Sequence, residues 1–478
     1  MKIGRLLRTL CHLKPGQLWF QVWRRVQRKL DPHPVCSALE LPEFTFLNLS
    51  ARPRGWNDVS LDMLWRYNLH YFDQGLELVP RWIAENPRGS VPGWDPYPTS
   101  LRIVNWVKAV DSGLLKHEKV KASLAEQLDW LANHLEYHIL ANHYLANLKA
   151  MVIGSIALKR DYGKWMRLYA EQVAEQILDD GGHYERSVMY HAIIFEDVLD
   201  VIRFCGDGAE RLKSVAVKML RYLVAMTGPD GKIVLFNDAA DGIAKPTAWL
   251  ADYAKRLGIV LPDVVSDTAD GIVDFPQTGY ARLQAGDFVL YVDVAPIGPE
   301  FQPGHAHADT LTYELYYKGV KVVADTGTSE YRGERRAFER SSAAHNVVQV
   351  DGVDSSEVWS SHRVGRRAKV QERNLEVSKD GKLTARGEIL ANGVRIARAW
   401  RLSSDGLEVT EQVTGGRTCV TRVHFAPEGN HSVQVDFSSP CSEDYACALE
   451  FGKVREAVCL SATFDPGRVF RYTISPIK

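Results

Sequence analysis

GHAHADTLTYELYYKGVKVVADTGTSEYRGERRAFERSSAAHNV, residues Gly304–Val347, is the stretch from which the rest of the chain is read. Leu311, Tyr313 and Leu315 alternate with Thr312 and Glu314, Lys318-Gly319 supplies a turn, and Lys321–Ala324 runs back, the pattern of a β-hairpin. His305 and His307, one residue apart and followed by Asp309, stand before it. Asp325 stands at the far end of the second strand, and His345 precedes another strand, Val347–Val350. Imidazole and carboxylate donors delivered from three strand ends suit a three-ligand zinc site with one open position. Histidines and aspartates paired for purely structural reasons give the same spacing.

Composition bounds what surrounds this stretch. The 478 residues call for two or three domains with ample core. A net charge of -1 leaves no bulk attraction for polyanions, so nucleic acid is not an expected partner, and attraction for an acidic ligand has to be local. Seven cysteines without a CxxC pair argue for a reducing compartment and against a disulfide framework. No GxxxxGK[ST] or GxGxxG stands between a strand and a helix, so nucleotide binding has no support.

The N-terminus carries eight Lys or Arg and no acid between Met1 and Leu30, with Ile3, Leu6, Leu7, Leu10 and Leu13 at helical spacing. It lacks the continuous apolar core and cleavage site of a secretion signal. The plain expectation is a helix packed on the main domain with its charges in water; the alternative is peripheral contact with an anionic membrane. A cytoplasmic or membrane-peripheral location is the expectation. No stretch is apolar for long enough to span a bilayer.

From Trp56 to Leu257 the periodicity is helical, with segments at Glu118–Tyr137, Asn142–Lys159, Tyr162–Asp179, Ser187–Phe204 and Ala209–Met226. Antiparallel helices joined by short Gly/Asp turns suggest hairpins in a layered or toroidal array. Past a Pro- and Asp-rich stretch, Ile259–Gly279, alternation takes over: Tyr280–Leu283, Phe288–Val294, Ala368–Val377, Lys382–Ile389, Arg395–Leu402, Leu407–Val413, Thr418–Phe425, Val433–Phe437 and Val469–Ile474. Many close strands without intervening helices predict an antiparallel sandwich. The division expected is 1–55 for the basic helix and linker, 56–265 for the helical domain and 266–478 for the sandwich.

Three polar clusters interrupt the helical half. Asn142–Asn147 opens a helix with Asn142 and His143, where an asparagine also serves as a cap. Gly181–His191 crowds His183, Glu185, Arg186, Tyr190 and His191 behind two glycines. Trp65–Asp73 mixes Arg66, Tyr67 and His70 with aromatics, as sugar-binding clefts and wet helix contacts both do. His134 and His138, with Glu136 between them, lack the His-Glu-x-x-His order of a zincin and read as surface or interhelical residues.

These residues bring a family into view. The chain resembles the heparinase II/III-like polysaccharide lyases from about Trp56 to Phe425. The resemblance rests on Arg66–Asp73, Asn142–Lys149, Asp180–His191, Gly304–Asp309, Asp325–Glu330 and Ala344–Val364. It implies an N-terminal (α/α) toroid followed by a C-terminal antiparallel β-sandwich, and a cell-envelope or periplasmic location as the alternative. Tyr190 matches the catalytic tyrosine, Asn142 the asparagine that neutralises the substrate carboxylate, with His143 beside it, and His305 a histidine facing the cleft. His307, Asp325 and His345 match ligands of a structural zinc. An acidic polysaccharide is the implied substrate.

The residue types suit that chemistry. Removing the C5 proton of a uronic acid requires its carboxylate to be neutralised by hydrogen bonds aimed at the developing charge, which an Asn142 amide helped by His143 or His305 supplies. Tyr190 then serves as base and acid, with His191 or His305 as a proton relay. Local cations such as Arg66, Arg186 and Arg340, with Tyr67, His70 and Glu185, are candidates for binding the polymer. A zinc-dependent hydrolase and a non-catalytic protein of surface-polysaccharide assembly stay open as alternatives, as does the oligomeric state.

Overall fold

The computed structural model describes residues 2–32, 34–261, 270–429 and 432–477. Up to Arg256 regular structure is helical apart from a small hairpin, Phe44–Phe46 with Leu49–Ala51; from Gly271 onward it is almost all strand. The expected helices occur at His117–Ala132, Ala141–Ala157, Gly163–Gln176, Val188–Cys205 and Glu210–Ala225. Their apolar stripes are buried, Val120, Leu124, Leu128 and Leu131 among them. Ala141–Ala157 is apolar nearly all round and packs against both Pro96–Asp111 and Gly163–Gln176.

Two compact units emerge. One comprises Met1–His12, Ile177–Glu196 and Ser214–Lys478, the other Leu13–Gln176 and Asp197–Lys213. The Val188–Cys205 helix thus begins in the first and ends in the second, so Tyr190 is grouped with the sheets. The expected boundary at 265/266 lies outside the described residues.

Among the described residues, the first unit holds three larger antiparallel sheets and a two-stranded pairing of Val358–Trp359 with Arg363–Val364. Gly271–Phe275, Tyr280–Ala285, Phe288–Asp293, Tyr313–Tyr317 and Val320–Val323 follow one another in order in the first. A six-stranded sheet runs Lys369–Val377, Leu383–Ala391, Val394–Ser403, Gly406–Thr414, Val469–Pro476, Val433–Asp436. The third orders Cys441–Glu450, Lys453–Phe464, Cys419–His424 and Val348–Val350. Cys441–Glu450 and Lys453–Phe464 escape the sequence reading because their first four residues are all exposed and mostly polar, which hides the alternation. All seven cysteines are free.

One continuous core joins the sheets, with Leu290, Tyr313 and Leu315 from the first, Trp400 and Val409 from the second and Val423 from the third. A buried Arg398–Glu411 pair crosses it. Arg398 also donates to the carbonyls of Leu311 (2.6 Å) and Asn346, which pins both ends of the histidine-bearing segment to the six-stranded sheet. Gly387 leaves room for this, since a Cβ there would lie 2.6 Å from Leu311 Cδ2.

The Lys2–Leu10 helix is tied to the same unit by Arg5 and Arg8, both bonded to Glu357, and by Trp359 Nε1 donating to Thr9 Oγ1 (3.1 Å). The hydrogen bond from Arg8 does most to hold the Glu357 pKa down to about 2. A carboxylate depressed by folding contributes stability above its unfolded pKa of about 4.3 and loses it as pH falls toward 2. Hydrogen exchange should therefore show Lys2–Leu10 losing protection in Glu357→Gln at neutral pH. Wild type should show the same loss, corrected for intrinsic rates, when acidified through that window, and unchanged protection in both would refute the tether.

Candidate active site

Asp238 organises the chemistry of the first unit. Fully buried, it accepts from His305 Nδ1 (2.8 Å), His307 Nε2 (2.7 Å) and both terminal nitrogens of Arg336, with NH2 at 2.7 Å. Burial alone would raise its pKa; Arg336 and the two imidazoles outweigh that and hold it well below the usual carboxylate range. An ionised Asp238 fixes both tautomers by taking the Nδ1 proton of His305 and the Nε2 proton of His307 as donors. Asn237 positions the next layer. Its Oδ1 accepts from the His307 backbone (3.0 Å) and its own N–H donates to Asp309 Oδ2 (3.1 Å).

Tyr190 stands directly against this group. Its ring centroid is 3.8 Å from that of His305, and its hydroxyl is 2.9 Å from the hydroxyl of Tyr331. Burial, then the charge of Asp238, pushes the Tyr331 pKa above its ordinary value. The two hydroxyls share one hydrogen bond, in which either oxygen can be the donor. Tyr190 also lies in the first turn of its helix, where aligned peptide dipoles favour negative charge.

Local geometry explains how the chain reaches that position. A Cβ at Gly181 (φ 94°) would meet the Lys218 carbonyl at 2.2 Å, and one at Gly182 would meet Thr278 Oγ1 at 2.0 Å, so only glycine fits this turn. Arg186 (φ 58°) and Asn237 (φ 59°) adopt left-handed backbone without being glycine. That cost is offset at Arg186, whose carbonyl accepts from Tyr280 Oη (2.6 Å) and Asn237 Nδ2 (3.2 Å). Ser187 Oγ donates to the Asp238 carbonyl (2.5 Å) and accepts from the Tyr190 N–H (3.2 Å), joining the tyrosine's helix to the carboxylate's loop.

Beneath His305 lies a set of metal-type donors. Donor atoms of His307, Asp309 and His345, all buried, fall within 4.8 Å of one another. His307 Nδ1 and His345 Nε2 are buried with no hydrogen-bond partner, and each ring's other nitrogen is held by a carboxylate, Asp238 for His307 and Asp325 for His345 (2.8 and 3.1 Å). Carboxylate-oriented imidazoles with an unused lone pair are what a zinc site requires, so the residues present fit the implied ion. Burial pushes the His307 pKa down to about 3, leaving that lone pair available. At His345 burial opposes charging, but Asp325 outweighs it and raises the pKa. Asp325, the third ligand by resemblance, here orients His345, and Asp309 completes the compact set.

The helical unit carries its own cluster. Asn142, buried, lies in the first turn of Ala141–Ala157, directly after Leu140 (φ 66°) and Ala141 (φ 51°), two consecutive left-handed non-glycine residues. Strain of that kind gathers at functional positions. His143 Nδ1 is 3.1 Å from Glu136 Oε1, its ring is 4.5 Å from that of Tyr97, and Asn147 Nδ2 donates to Glu136 Oε2 (3.1 Å). Glu136, read from the sequence as a surface or interhelical residue, is a buried anchor for His143.

Several expected ligands have other duties. His70 is fully buried, Nε2 bonded to the Trp56 carbonyl (2.9 Å) and Nδ1 accepting from Trp82 (2.9 Å), so it is a core histidine rather than a sugar contact. His191 is likewise interior, bonded to the Met219 carbonyl (3.0 Å) and ringed by Phe195 and Tyr222, which removes it as a relay. Arg340 is buried and donates to the carbonyls of Ala306, Ser360 and Arg363, holding the histidine loop instead of a polymer. Glu185 is buried too. Arg186 donates to the Thr278, Tyr184 and Gln277 carbonyls. Arg66 bonds Asn57 Oδ1 (2.6 Å) and Tyr67 bonds Asp95 Oδ2 (2.9 Å), both half-buried. Asp238 and Tyr331 were not singled out from sequence; Asn237-Asp238 reads as an ordinary turn, and Tyr331 stands in a polar loop with no pattern.

The chain belongs to the heparinase II/III-like family: the model for the heparinase II/III N-terminus matches residues 82–259, and that for the heparinase II/III-like C-terminal region matches 267–442. It is 22% identical over 337 residues to a heparin-sulfate lyase of Bacteroides thetaiotaomicron, covering 59% of this chain and 48% of that protein. With the heparin-sulfate lyase of Bacteroides stercoris it is 20% identical over 255 residues, 47% and 38% of the two chains. The chain thus spans half or less of the length of these relatives. A crystal structure of heparinase III is similar at a TM-score of 0.66 and 16% identity, over 88% of this chain and 74% of that one. A heparan sulfate lyase HepC mutant from Pedobacter heparinus gives 0.61 and 15%, over 87% and 77%. These likenesses concern the fold, and bear out an (α/α) toroid followed by an antiparallel β-sandwich.

Asp238→Ala leaves Arg336 and two imidazoles around an empty, buried space. Unpaired buried charge of this kind costs about 3–5 kcal/mol. Chemical denaturation should show a loss of that order, and a loss below about 1 kcal/mol, within the range of surface ion pairs, would mean that Asp238 does not hold the site.

Proposed function

We propose that the chain is a polysaccharide lyase that cleaves a uronic-acid-containing polymer by β-elimination. The observation that carries the reading is the arrangement of Tyr190 against His305, with the Tyr331 hydroxyl within hydrogen-bonding distance of its oxygen and Asp238 behind the imidazole. As base, the Tyr190 phenolate takes the C5 proton. The electron pair moves into the C5–carboxyl system, then forms the C4–C5 double bond as the C4–O bond breaks, and the Tyr190 hydroxyl returns its proton to the leaving oxygen. The Tyr331 hydroxyl stabilises the phenolate before the first transfer.

Neutralising the substrate carboxylate falls to Asn142, by resemblance and by the chemistry of a neutral amide, with His143 or His305 as a second donor. Zinc held by His307, His345 and one of Asp309 or Asp325 would supply a fixed positive charge that orders the hairpin ends, and no proton step passes through it. An acidic polysaccharide agrees with the similarity to heparin-sulfate lyases.

Heparin, heparan, alginate, hyaluronan and bacterial capsular polymers can be screened for ultraviolet absorbance from the new double bond. Cleavage giving saturated products would mean hydrolysis and end the elimination reading. Against a cleaved polymer, Tyr190→Phe should lower kcat by about 10²–10⁴-fold with the fold intact by circular dichroism. Tyr331→Phe should move the rising limb of the rate-versus-pH curve to higher pH, because the phenolate loses its donor. Full turnover by Tyr190→Phe would remove it as the base.

Elemental analysis of purified protein should find about one zinc per chain, and His307→Ala should lose it. Zinc-free wild type after purification without chelators, or unaltered content in the variant, would reject the metal.

A further inference from the structure

The Pro15–Leu30 helix is built inside out. Gln17 and Arg24 are buried, while Leu18, Trp19, Val22, Trp23, Val26 and Leu30 are exposed, Trp19 to 67% and Leu30 to 76%. Polar side chains make contacts on the inward side. Gln17 Nε2 donates to the Ile139 carbonyl (3.3 Å), Gln27 Nε2 donates to the Asn133 carbonyl (2.7 Å), and Arg24 pairs with Asp31 (3.5 Å). Phe20 adds an inward apolar contact, its ring centroid 4.7 Å from that of Tyr137. A helix packed through its apolar side with charges in water, the plain expectation for the basic N-terminus, does not describe it.

The outward face is organised. At about 100° per residue, the six exposed apolar side chains fall within an arc of about 140°. Arg25 and Lys29, both exposed, lie along one margin of that arc, and the helix contains no Asp or Glu. A symmetric contact between two copies through this face would find no acid on the helix to meet those cations. Tryptophan with aliphatic side chains, edged by Arg and Lys, matches instead the headgroup–acyl boundary of an anionic bilayer. A helix of 16 residues measures about 24 Å, and among the described residues no helix is long and apolar enough to cross a membrane. The geometry therefore favours lying in the surface plane.

We propose that the Pro15–Leu30 helix docks this chain on anionic lipid, with Trp19 and Trp23 at the headgroup–acyl boundary and Arg25 and Lys29 on lipid phosphates. The inference is independent of the proposed reaction. The full chain should cosediment with vesicles of phosphatidylcholine and about one third phosphatidylglycerol at least about tenfold better than with phosphatidylcholine alone, and less well as salt rises. Trp19→Glu/Trp23→Glu should abolish this with an unchanged melting temperature. Arg25→Glu/Lys29→Glu, which leaves the apolar face whole, should reduce it about tenfold and serves as the test if the first variant does not fold. Absence of wild-type binding, or binding indifferent to both variants, would overturn the proposal. So would a lipid-free, concentration-dependent dimer that either variant dissolves in a protein that ignores vesicles, since the face would then belong to a second copy.

Discussion

A buried carboxylate has to be answered by cations or hydrogen-bond donors, and Asp238 is answered by three side chains that the rest of the site needs in fixed orientations. Its two oxygens take Nδ1 of His305 and Nε2 of His307, opposite nitrogens of histidines one residue apart. The remaining nitrogen of His307 is thereby committed to the metal-type cluster below, and the His305 ring to Tyr190 above. One ionised group thus orients two different kinds of chemistry, and Arg336 supplies the charge that keeps it ionised.

Around that point the protein spends charge on positioning rather than on display. Arg340 and Arg186 donate to backbone carbonyls, Arg398 clamps Leu311 and Asn346, and Asp325 orients His345. Guanidinium forks suit this use because a single side chain satisfies several carbonyls that irregular backbone leaves without ladder partners. Left-handed residues at Arg186 and Asn237 mark where the backbone is bent to bring Tyr190 and Asp238 together. In the helical unit, Leu140 and Ala141 play the corresponding part for Asn142, and Glu136 holds His143.

The same distinction between inward and outward polarity separates two kinds of helix. Ala141–Ala157 is apolar on nearly every side and buried accordingly, whereas Pro15–Leu30 turns glutamine and arginine inward and tryptophan outward. The first carries a single lysine and the second four Arg or Lys, and burial divides them further.

Periodicity determined the fold class from sequence alone. Burial is paid for residue by residue, so a 3.6-residue repeat before Leu257 and a two-residue repeat after Tyr280 leave little choice between helix and strand. The metal-type histidines were legible for a related reason, since short spacing at strand ends leaves few places for a side chain to go. Which of Asp309 and Asp325 faces His307, which arginines are interior, and that His70 and His191 are core residues could not be read, because each depends on groups dozens of residues away. Asp238 and Tyr331 were invisible for the same reason: a lone aspartate in a turn and a lone tyrosine in a loop acquire meaning only from partners such as Arg336 and Tyr190, which tertiary structure alone brings within hydrogen-bonding distance.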